Sequence, residues 1–586
     1  MLGFQQWFPI SVGRMFSRCS TCVVVAACSG CLRLAWRTRG EPWSSRKFSS
    51  HRLLHRDAAV RPGTEQISAI TLLTPETSLV DPAAVISNLP VLPRTSRSFQ
   101  NVPILLATPA LAAWAHARST LLPSIMGHIF QDALRTDEEI KDIYSISAVV
   151  DKLPIPAGLV SSARSASPED SPAFEKEGCE GISLLIADQE SLSGDIVRPM
   201  RRRDVSMPEI EPTITYAMTY EQDGGEKVST EVGVRIANTI FVTGTPRTML
   251  ASRWRFDEEI GKLKPKETKD LVICRIESNA NSSVTPFIPL HPVTQPRKVI
   301  TSMGNVLSQI STGNGSTKSA PASAELEKAL PAYIDKHQLQ NRRLAVWALV
   351  KPEELHCSSE ASPEASGTDD VSNAIKKSAR LHRLMSGGGG WGKKQGLLSL
   401  DPEYSYQEEH SSGHRRPINE LFERNTIEPD IEQTAFDSFP SFMEFNNGKL
   451  VTPLSEAAKP GDTVQFFVAP LDTAVPIHSP LGHTNSSQGS QPAEVAERFT
   501  FGVIPSVETA SVPVAGLEND LRSSTQVSDK HLIVVPNHFG ALSENGITFT
   551  TFEQDSLTGA DERALEVSGT KIDVPGSRIS IRTQFK

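Results

Sequence analysis

The sequence predicts a protein of mixed α and β structure, with an α/β N-terminal region, a β-rich (α+β) C-terminal half and long disordered linkers. Three observations predict this class. Short apolar runs alternate with helix-forming segments in the first part of the chain. From Pro212 onward, β-rich runs are separated by turn residues. Four segments rich in Ser, Gly, Pro or acidic residues lack an apolar period, as linkers do: 156–178, 311–323, 357–372 and 478–492.

The first 56 residues have the composition of a mitochondrial transit peptide. They carry nine Lys or Arg and one acid, Glu41, among serines and apolar residues. The membrane potential draws such a positive segment inward, so we predict a matrix location. Inner-membrane attachment and the intermembrane space stay open as alternatives. The segment ends in a run similar to the Arg-x-Phe/Ser site of the matrix processing protease, with the processing residues Arg46, Phe48 and Ser49.

The mature chain is expected to be acidic and soluble. The whole chain has 59 Lys and Arg against 68 Asp and Glu, and residues 1–48 hold seven of the former and one of the latter. Removal of that segment leaves a net charge near −15, which disfavours non-specific binding to nucleic acid. No stretch after residue 48 is long and apolar enough to span a membrane. Cys179, Cys274 and Cys357 lie far apart, so no disulfide framework is predicted.

The elements of the N-terminal region follow from apolar runs and from proline. Buried strands are predicted at 67–74, 102–107, 143–150 and 181–187. Pro109–Arg118 is rich in Ala and begins with Pro, which is favoured at the first position of a helix. A break is expected at Pro123, and Ser124–Leu134 continues as a helix. This alternation favours a sheet covered by helices.

Strands dominate the rest of the prediction. The turn Asp223-Gly224-Gly225 indicates a hairpin, Ser323 is a candidate cap for a helix, and Arg247–Arg255 reads as a helix start with Trp254 buried. The predicted strands are 213–220, 228–236, 239–243, 271–277, 344–350, 463–468, 498–503, 531–535, 546–552 and 578–582. The predicted organisation is a transit peptide at 1–48, an α/β domain at 64–310 with a loop at 156–178, an α+β region at 324–470 with a linker at 357–372 and a Gly-rich loop at 386–396, and a β-rich region at 494–586.

Three runs in the first domain are similar to the FIST-type sensory domain: 145–154 (SISAVVDKLP), 180–188 (EGISLLIAD) and 237–244 (ANTIFVTG). The resemblance implies the binding of a small ligand by a signalling protein, and it transfers no functional residue. The run 386–403 (SGGGGWGKKQGLLSLDPE) resembles mitochondrial proteins of filamentous fungi and implies no activity.

The Gly-rich loop is the sharpest local signal. Gly387 to Lys393 fits G-x-x-x-x-G-K, in which backbone N–H groups and a lysine hold phosphate. Lys394 stands where Ser or Thr should hold magnesium, and the preceding 373–385 reads as a helix rather than the required strand. A weaker anion site and a plain turn with solvated lysines both stay open. The candidate anion-binding residues are Gly387, Gly390, Trp391, Gly392, Lys393, Lys394, Lys376, Arg380 and Arg383.

The sequence thus leaves three hypotheses. The first is a non-enzymatic matrix protein that binds a small ligand or a protein partner. The second is an RNA- or ribosome-associated factor of mitochondrial gene expression that uses the basic Gly-rich patch, although the acidic charge disfavours it. The third is an enzyme that acts on a phosphorylated substrate. The common nucleophile, zinc-protease and dinucleotide motifs are missing from the sequence, so we assign no catalytic residue, metal or cofactor.

Overall fold

The computed structural model describes the greater part of the chain after residue 67, and residues Thr64–Lys586 form one compact unit. The described residues are 68–74, 77, 80–116, 119–135, 142–156, 178–197, 211–221, 227–244, 248–257, 259, 261–278, 281–313, 318–339, 344–353, 368–387, 396–403, 416–423, 444–446, 449–451, 457–469, 497–504, 532–553 and 567–584. The predicted transit peptide and most of the predicted linkers lie outside this set.

Strands make up most of the described structure, and helices are few and short. The strands are β1 (Ser68–Thr74), β2 (Asn101–Ala107), β3 (Ile143–Val149), β4 (Glu180–Asp188), β5 (Leu192–Ile196), β6 (Thr213–Glu221), β7 (Lys227–Arg235), β8 (Met249–Asp257), β9 (Lys262–Ser278), β10 (Asn281–Phe287), β11 (His291–Pro292), β12 (Arg297–Met303), β13 (Val306–Ser311), β14 (Ser319–Pro321), β15 (Val346–Lys351), β16 (Arg380–Gly387), β17 (Leu398–Leu400), β18 (Arg416–Pro417), β19 (Glu444–Asn446), β20 (Lys449–Val451), β21 (Thr463–Val468), β22 (Glu497–Val503), β23 (Ile533–Pro536), β24 (His538–Ser543), β25 (Ile547–Glu553), β26 (Val567–Ile572) and β27 (Arg578–Gln584). The helices are α1 (Pro82–Ser87), α2 (Ala112–Ala115), α3 (Leu121–Ile129), α4 (Ile240–Thr243), α5 (Ser323–Lys336) and α6 (Thr368–Lys376). Short 3₁₀ turns occupy Ser96–Gln100, Pro109–Leu111, Ala133–Arg135, Gln189–Ser191 and Glu420–Phe422.

The largest sheet joins both ends of the described chain. Its strand order is β23-β1-β4-β2-β3-β8-β9-β6-β7-β25-β26, and β5 pairs with β9 and β18. Strand β9 is 17 residues long; its first part pairs with β8 and its second with β5 and β6. Helices α1, α2 and α3 pack on one face of the half that contains β1 to β4, over a buried cluster that includes Ile125 and Trp254.

A second sheet, with the order β10-β27-β22-β24, packs against the other half of the large sheet. The contact is aromatic: the ring centroid of Tyr216 lies 4.6 Å from that of Phe499 and 6.0 Å from that of Phe501. Both phenylalanines are almost completely buried. This packing fixes one face of β6, β7 and β25 in the core and turns their alternate residues to the opposite face.

Strands from the middle of the chain close into a six-stranded antiparallel barrel. The circuit runs β12-β13-β17-β16-β15-β21 and returns to β12. Its interior holds a separate apolar cluster that includes Val464, Phe466 and Ala348. The outer face of β15 and β16 packs on the main core through Trp347, Leu349 and other residues.

The α/β architecture predicted for 64–310 is not supported by the structure. Most strand pairs there are antiparallel, and β2 and β3 form a parallel pair joined through α2 and α3. The expected helix Pro109–Arg118 is a 3₁₀ turn followed by the single turn of α2. Pro123 lies in the first turn of α3 and does not break it. The N–H groups of the first turn have no carbonyl partner within the helix, so the N–H that proline lacks is not needed there.

Three further predicted elements are wrong. The expected helix at Arg247–Arg255 is strand β8, whose residues are buried on both faces and therefore show no alternation. The expected strand at 239–243 is helix α4, which ends at Gly244 with φ +73°. The expected helix 373–385 stops at Lys376, passes through Ser378 at φ +73°, and continues as β16. Helix α6 begins at Thr368, so the linker predicted at 357–372 is too long at its C-terminal end.

The strand pairing does not follow the predicted domain boundaries. Within the β-rich segment 494–586, β25 pairs with β7, β23 with β1, and β27 with β10. The C-terminal strands therefore complete sheets that begin before residue 290. Among the described residues, no helix is long and apolar enough to cross a membrane.

Candidate functional site

The predicted anion-binding residues are not brought together as one helical row. Lys376 is the last residue of α6, and burial lowers the pKa of its ammonium group. Arg380 and Arg383 lie three residues apart on β16, so their side chains leave opposite faces of the strand. Gly387 is the last residue of that strand. The remaining candidates lie outside the described residues: Gly390, Trp391, Gly392, Lys393 and Lys394, together with the processing residues Arg46, Phe48 and Ser49.

The flanks of the Gly-rich loop identify the local structure. Gly387 at the end of β16 is paired with Leu398 at the start of β17, and the two strands are antiparallel. A phosphate loop requires a strand before the glycines and a helix after them. In this chain a strand, β17, follows the Gly-rich loop where a phosphate loop would have a helix. The loop therefore joins two antiparallel strands of the barrel.

A different group of residues forms a buried polar face on the large sheet. On β6, β7 and β25, alternate side chains point away from the aromatic core and meet in register. One row places Thr215, Gly233 and Thr548 side by side, between Arg275 of β9 and Lys571 of β26. The row crosses five strands, so its ends are four strand spacings, or about 19 Å, apart.

The next row repeats the arrangement two residues further along. Ala217, Glu231 and Thr550 lie side by side, between Glu277 of β9 and Gly569 of β26. We define the threonine face as the floor made by both rows: Thr215, Gly233, Thr548, Ala217, Glu231 and Thr550. All six are buried, and apart from Glu231 their side chains are small.

Two hydroxyl groups on this face have no hydrogen-bond partner. Thr548 Oγ1 and Thr550 Oγ1 are both fully buried and unpaired within the described structure. A buried polar group left without a partner costs about 1–3 kcal/mol, so such groups are rare in native structures. Each of these hydroxyls adjoins a glycine across the strand pair, Gly233 for Thr548 and Gly569 for Thr550. A glycine has no side chain that could pair with the neighbouring hydroxyl.

An arginine–glutamate pair borders one side of the threonine face. Arg275 Nε donates to Glu231 Oε1 at 2.7 Å, and its Nη2 lies 2.5 Å from the same oxygen. Arg275 Nη1 also donates to Glu277. Glu231 is almost completely buried, which a carboxylate tolerates only when it is paired. Arg275 therefore neutralises the charge that the floor would otherwise carry.

A second charged group borders the opposite side. Lys571 Nζ donates to Glu403 Oε2 at 2.6 Å and lies 3.3 Å from Asp401 Oδ2. Glu403 also accepts from Arg235, which pairs with Glu211. Burial alone would lower the pKa of Lys571, but its hydrogen bond to Glu403 and the surrounding carboxylates raise that pKa above its ordinary value. Lys571 is therefore held as a cation.

The same charged group ties the face to the barrel. Trp347 on β15 donates from Nε1 to Asp573 Oδ1 at 2.7 Å. Burial raises the pKa of Asp573, against the opposing effects of this hydrogen bond and of Lys571. Close by, the backbone N–H of Leu381 donates to Thr570 Oγ1 at 2.7 Å. The barrel and the large sheet are thus joined by satisfied polar contacts at the edge of the threonine face.

This arrangement suits binding rather than covalent chemistry. The two free hydroxyls can each donate and accept a hydrogen bond. The cation Lys571 beside Thr548 cannot accept a proton, and the carboxylate Glu231 beside Thr550 is held by Arg275. In the part of the chain that the structure describes, no group of three or more His, Cys, Asp or Glu is placed to hold a metal ion.

The sequence analysis did not predict the threonine face, although the alternation of residues in two of its strands is visible in the sequence. The runs Val228–Ile236 (VSTEVGVRI) and Ile547–Phe552 (ITFTTF) alternate apolar with small or polar residues, and both were predicted as strands. The alternation predicts one polar face on each strand. It does not show that the two polar faces lie side by side.

Comparison with protein-family models, with curated proteins and with solved structures finds no match to this chain.

Proposed function

We propose that this chain is a non-enzymatic protein of the mitochondrial matrix that binds a small polar ligand on the threonine face. The observation that carries the proposal is the pair of buried, unpaired hydroxyls of Thr548 and Thr550, set in a floor of small residues between two charged borders. A ligand with hydrogen-bonding groups about 7 Å apart, the spacing of alternate residues on a strand, would complete both.

The charges support a neutral or zwitterionic ligand. Arg275 and Lys571 are each paired with carboxylates, so neither offers a full free charge to an anion. The resemblance of three runs in the chain to the FIST-type sensory domain points to the same class of function, the binding of a small ligand. The matrix location rests on the composition of residues 1–56 and on the run around Arg46.

The RNA-binding alternative rested on the basic Gly-rich patch from Lys376 to Lys394. Trp391, Lys393 and Lys394 of that patch lie outside the described residues, and the other cations were expected as a row on one helix. Because Arg380 and Arg383 leave opposite faces of a strand, that row of cations does not form. We therefore carry the ligand-binding function forward alone.

Native mass spectrometry tests the proposal directly. The full chain and the double variant T548V/T550V are purified in parallel and compared for bound small molecules. We expect an added mass on the wild type that is missing from the variant. A wild type that carries no added mass, and whose melting temperature is unmoved by a panel of neutral and zwitterionic metabolites at millimolar concentration, would contradict the proposal.

A further inference from the structure

The outer face of the small sheet carries three arginines for which the described residues provide no acidic partner. Arg498 on β22 lies directly opposite Arg582 on β27, and Arg578 lies four residues before Arg582. Arg498 is exposed, and the other two are partly exposed. None of the three forms an ion pair with a described carboxylate. We define the arginine face by these three residues.

Their placement is unfavourable for an isolated sheet. Two like charges directly opposite each other destabilise an antiparallel pair. The chain as a whole has more acidic than basic residues, with 68 Asp and Glu against 59 Lys and Arg, yet no described carboxylate pairs with these arginines. Arg498 also affects its buried neighbour His538: burial, followed by the charge of Arg498, lowers the pKa of His538 to about 4. The cost of this concentration of positive charge is offset when an anion binds between the arginines.

The floor between the arginines consists of small hydroxyl residues. Thr500 and Ser580 lie directly opposite each other in the next row, and Thr285 of β10 continues that row. Ser580 and Thr285 are exposed. Hydroxyl groups beside paired guanidinium groups are typical of sites that hold phosphate oxygens.

Arg578 is held in place at the far end of the face. Its Nη1 donates to the backbone oxygens of Val503 and Ser577, at 2.7 and 2.8 Å. Gly502 lies opposite it, and a Cβ atom there would come within 2.6 Å of Arg578 Cδ, so the absence of a side chain makes room for the arginine. Burial lowers the pKa of Arg578 to about 10, which leaves it charged at neutral pH. Four residues of strand place it about 13 Å from Arg582.

We propose that the arginine face binds a small phosphorylated molecule, with a phosphate group between Arg498 and Arg582 and a second anionic or hydrogen-bond-accepting group toward Arg578. The site is separate from the threonine face, and the proposal does not depend on the function assigned to that face. Phe287 of β10 lies beside Arg578 in the same row of this face. The excess of acidic over basic residues in the chain favours a small phosphorylated molecule over a nucleic-acid strand.

The test is a titration of the full chain with inorganic pyrophosphate and with ADP at constant ionic strength, followed by calorimetry. We expect saturable binding to the wild type and at least tenfold weaker binding to R498Q/R582Q. The matched control is R94Q/R255Q, which removes two exposed arginines elsewhere and leaves the net charge equal to that of the test variant. It should bind as the wild type does.

A second variant guards against misfolding. Ser580 is exposed, so S580D should fold normally while its carboxylate repels phosphate, and we expect it to lose binding as well. Equal binding to the wild type and to R498Q/R582Q would overturn the proposal. So would the absence of saturable binding, or binding of single-stranded RNA without any binding of pyrophosphate or ADP.

Discussion

Replacing the unpaired threonines by valine should stabilise the ligand-free protein. Valine keeps the branched shape of threonine and its preference for strands, while it removes the hydroxyl group. Thr548 Oγ1 and Thr550 Oγ1 have no partner in the described structure, so each loses only an unfavourable buried group. An unsatisfied buried group costs about 1–3 kcal/mol. We expect T548V and T550V each to raise the free energy of unfolding by an amount in that range.

The matched control is a threonine of the same strand pair whose hydroxyl is used. Thr570 on β26 is buried, and its Oγ1 accepts the backbone N–H of Leu381 at 2.7 Å. T570V leaves that N–H without a partner and should lower the free energy of unfolding by about 1–3 kcal/mol. The same chemical change therefore has opposite signs at neighbouring positions.

Urea unfolding, followed by tryptophan fluorescence on protein shown by mass spectrometry to carry no ligand, measures both effects. Unfolding midpoints should rise for T548V and T550V and fall for T570V, at unchanged slope. If T548V or T550V were destabilised by more than about 1 kcal/mol, the hydroxyls would have partners in the ligand-free protein, and the reasoning behind the site would fail.

Three further outcomes are expected. Burial lowers the pKa of His382 and of His538 to about 4. Because a histidine has a pKa near 6.5 in the unfolded chain, the free energy of unfolding is highest above pH 6.5 and falls by about 3 kcal/mol for each histidine as pH drops toward 4. Burial raises the pKa of Asp151 to about 6, so this residue alone would raise the free energy of unfolding as pH falls. Urea midpoints between pH 4 and 8 check this, and H538N should remove about half of the histidine contribution. K571M should destabilise the protein by about 3 kcal/mol, because Asp401 and Glu403 lose their shared cation; a midpoint equal to the wild type would contradict the pairing. Import into isolated mitochondria followed by N-terminal sequencing should give a chain that begins at Phe48 or Ser49, and an uncut chain would refute the predicted cleavage site.

The strands were predictable where their own residues determine their structure. The strand predicted at 463–468 has those bounds in the structure, and those predicted at 213–220 and 498–503 differ by one residue at an end. Each of these runs is rich in β-branched or aromatic residues and is bounded by turn residues or a loop. Local preference and tertiary pairing agree there.

The prediction failed where pairing across the sheet overrides the local pattern. The segment that contains Arg380, Leu381 and Leu384 has helical spacing of its cations, yet it pairs with β15 on one side and β17 on the other. In β8, Leu250 and Trp254 are buried on one face while Met249 and Ala251 are buried on the other. A strand covered on both faces has no polar side, so its sequence does not alternate.

The two candidate sites were beyond sequence reasoning for a reason of topology. Thr215 and Gly233 belong to a hairpin that the turn at 223–225 predicts, but Thr548 joins them from more than 300 residues further along the chain. On the arginine face, Arg498 meets Arg582, which is also distant in sequence. Register across such separations depends on which strands are neighbours, and no local period contains that information.

This topology also links the sites to the last strands of the chain. The threonine face takes its unpaired hydroxyls from β25 and its Lys571 border from β26, and the arginine face is built on β22 and β27. The arginine face requires only that two strands after residue 496 pair with each other. The threonine face requires that β25 and β26 join β6 and β7, which lie more than 300 residues earlier in the chain. Contacts of this separation carry a loop-closure entropy cost and slow folding. A ligand that binds the threonine face would therefore stabilise the pairing of β25 with β7, so ligand binding and the pairing of the late strands with the early ones are thermodynamically linked.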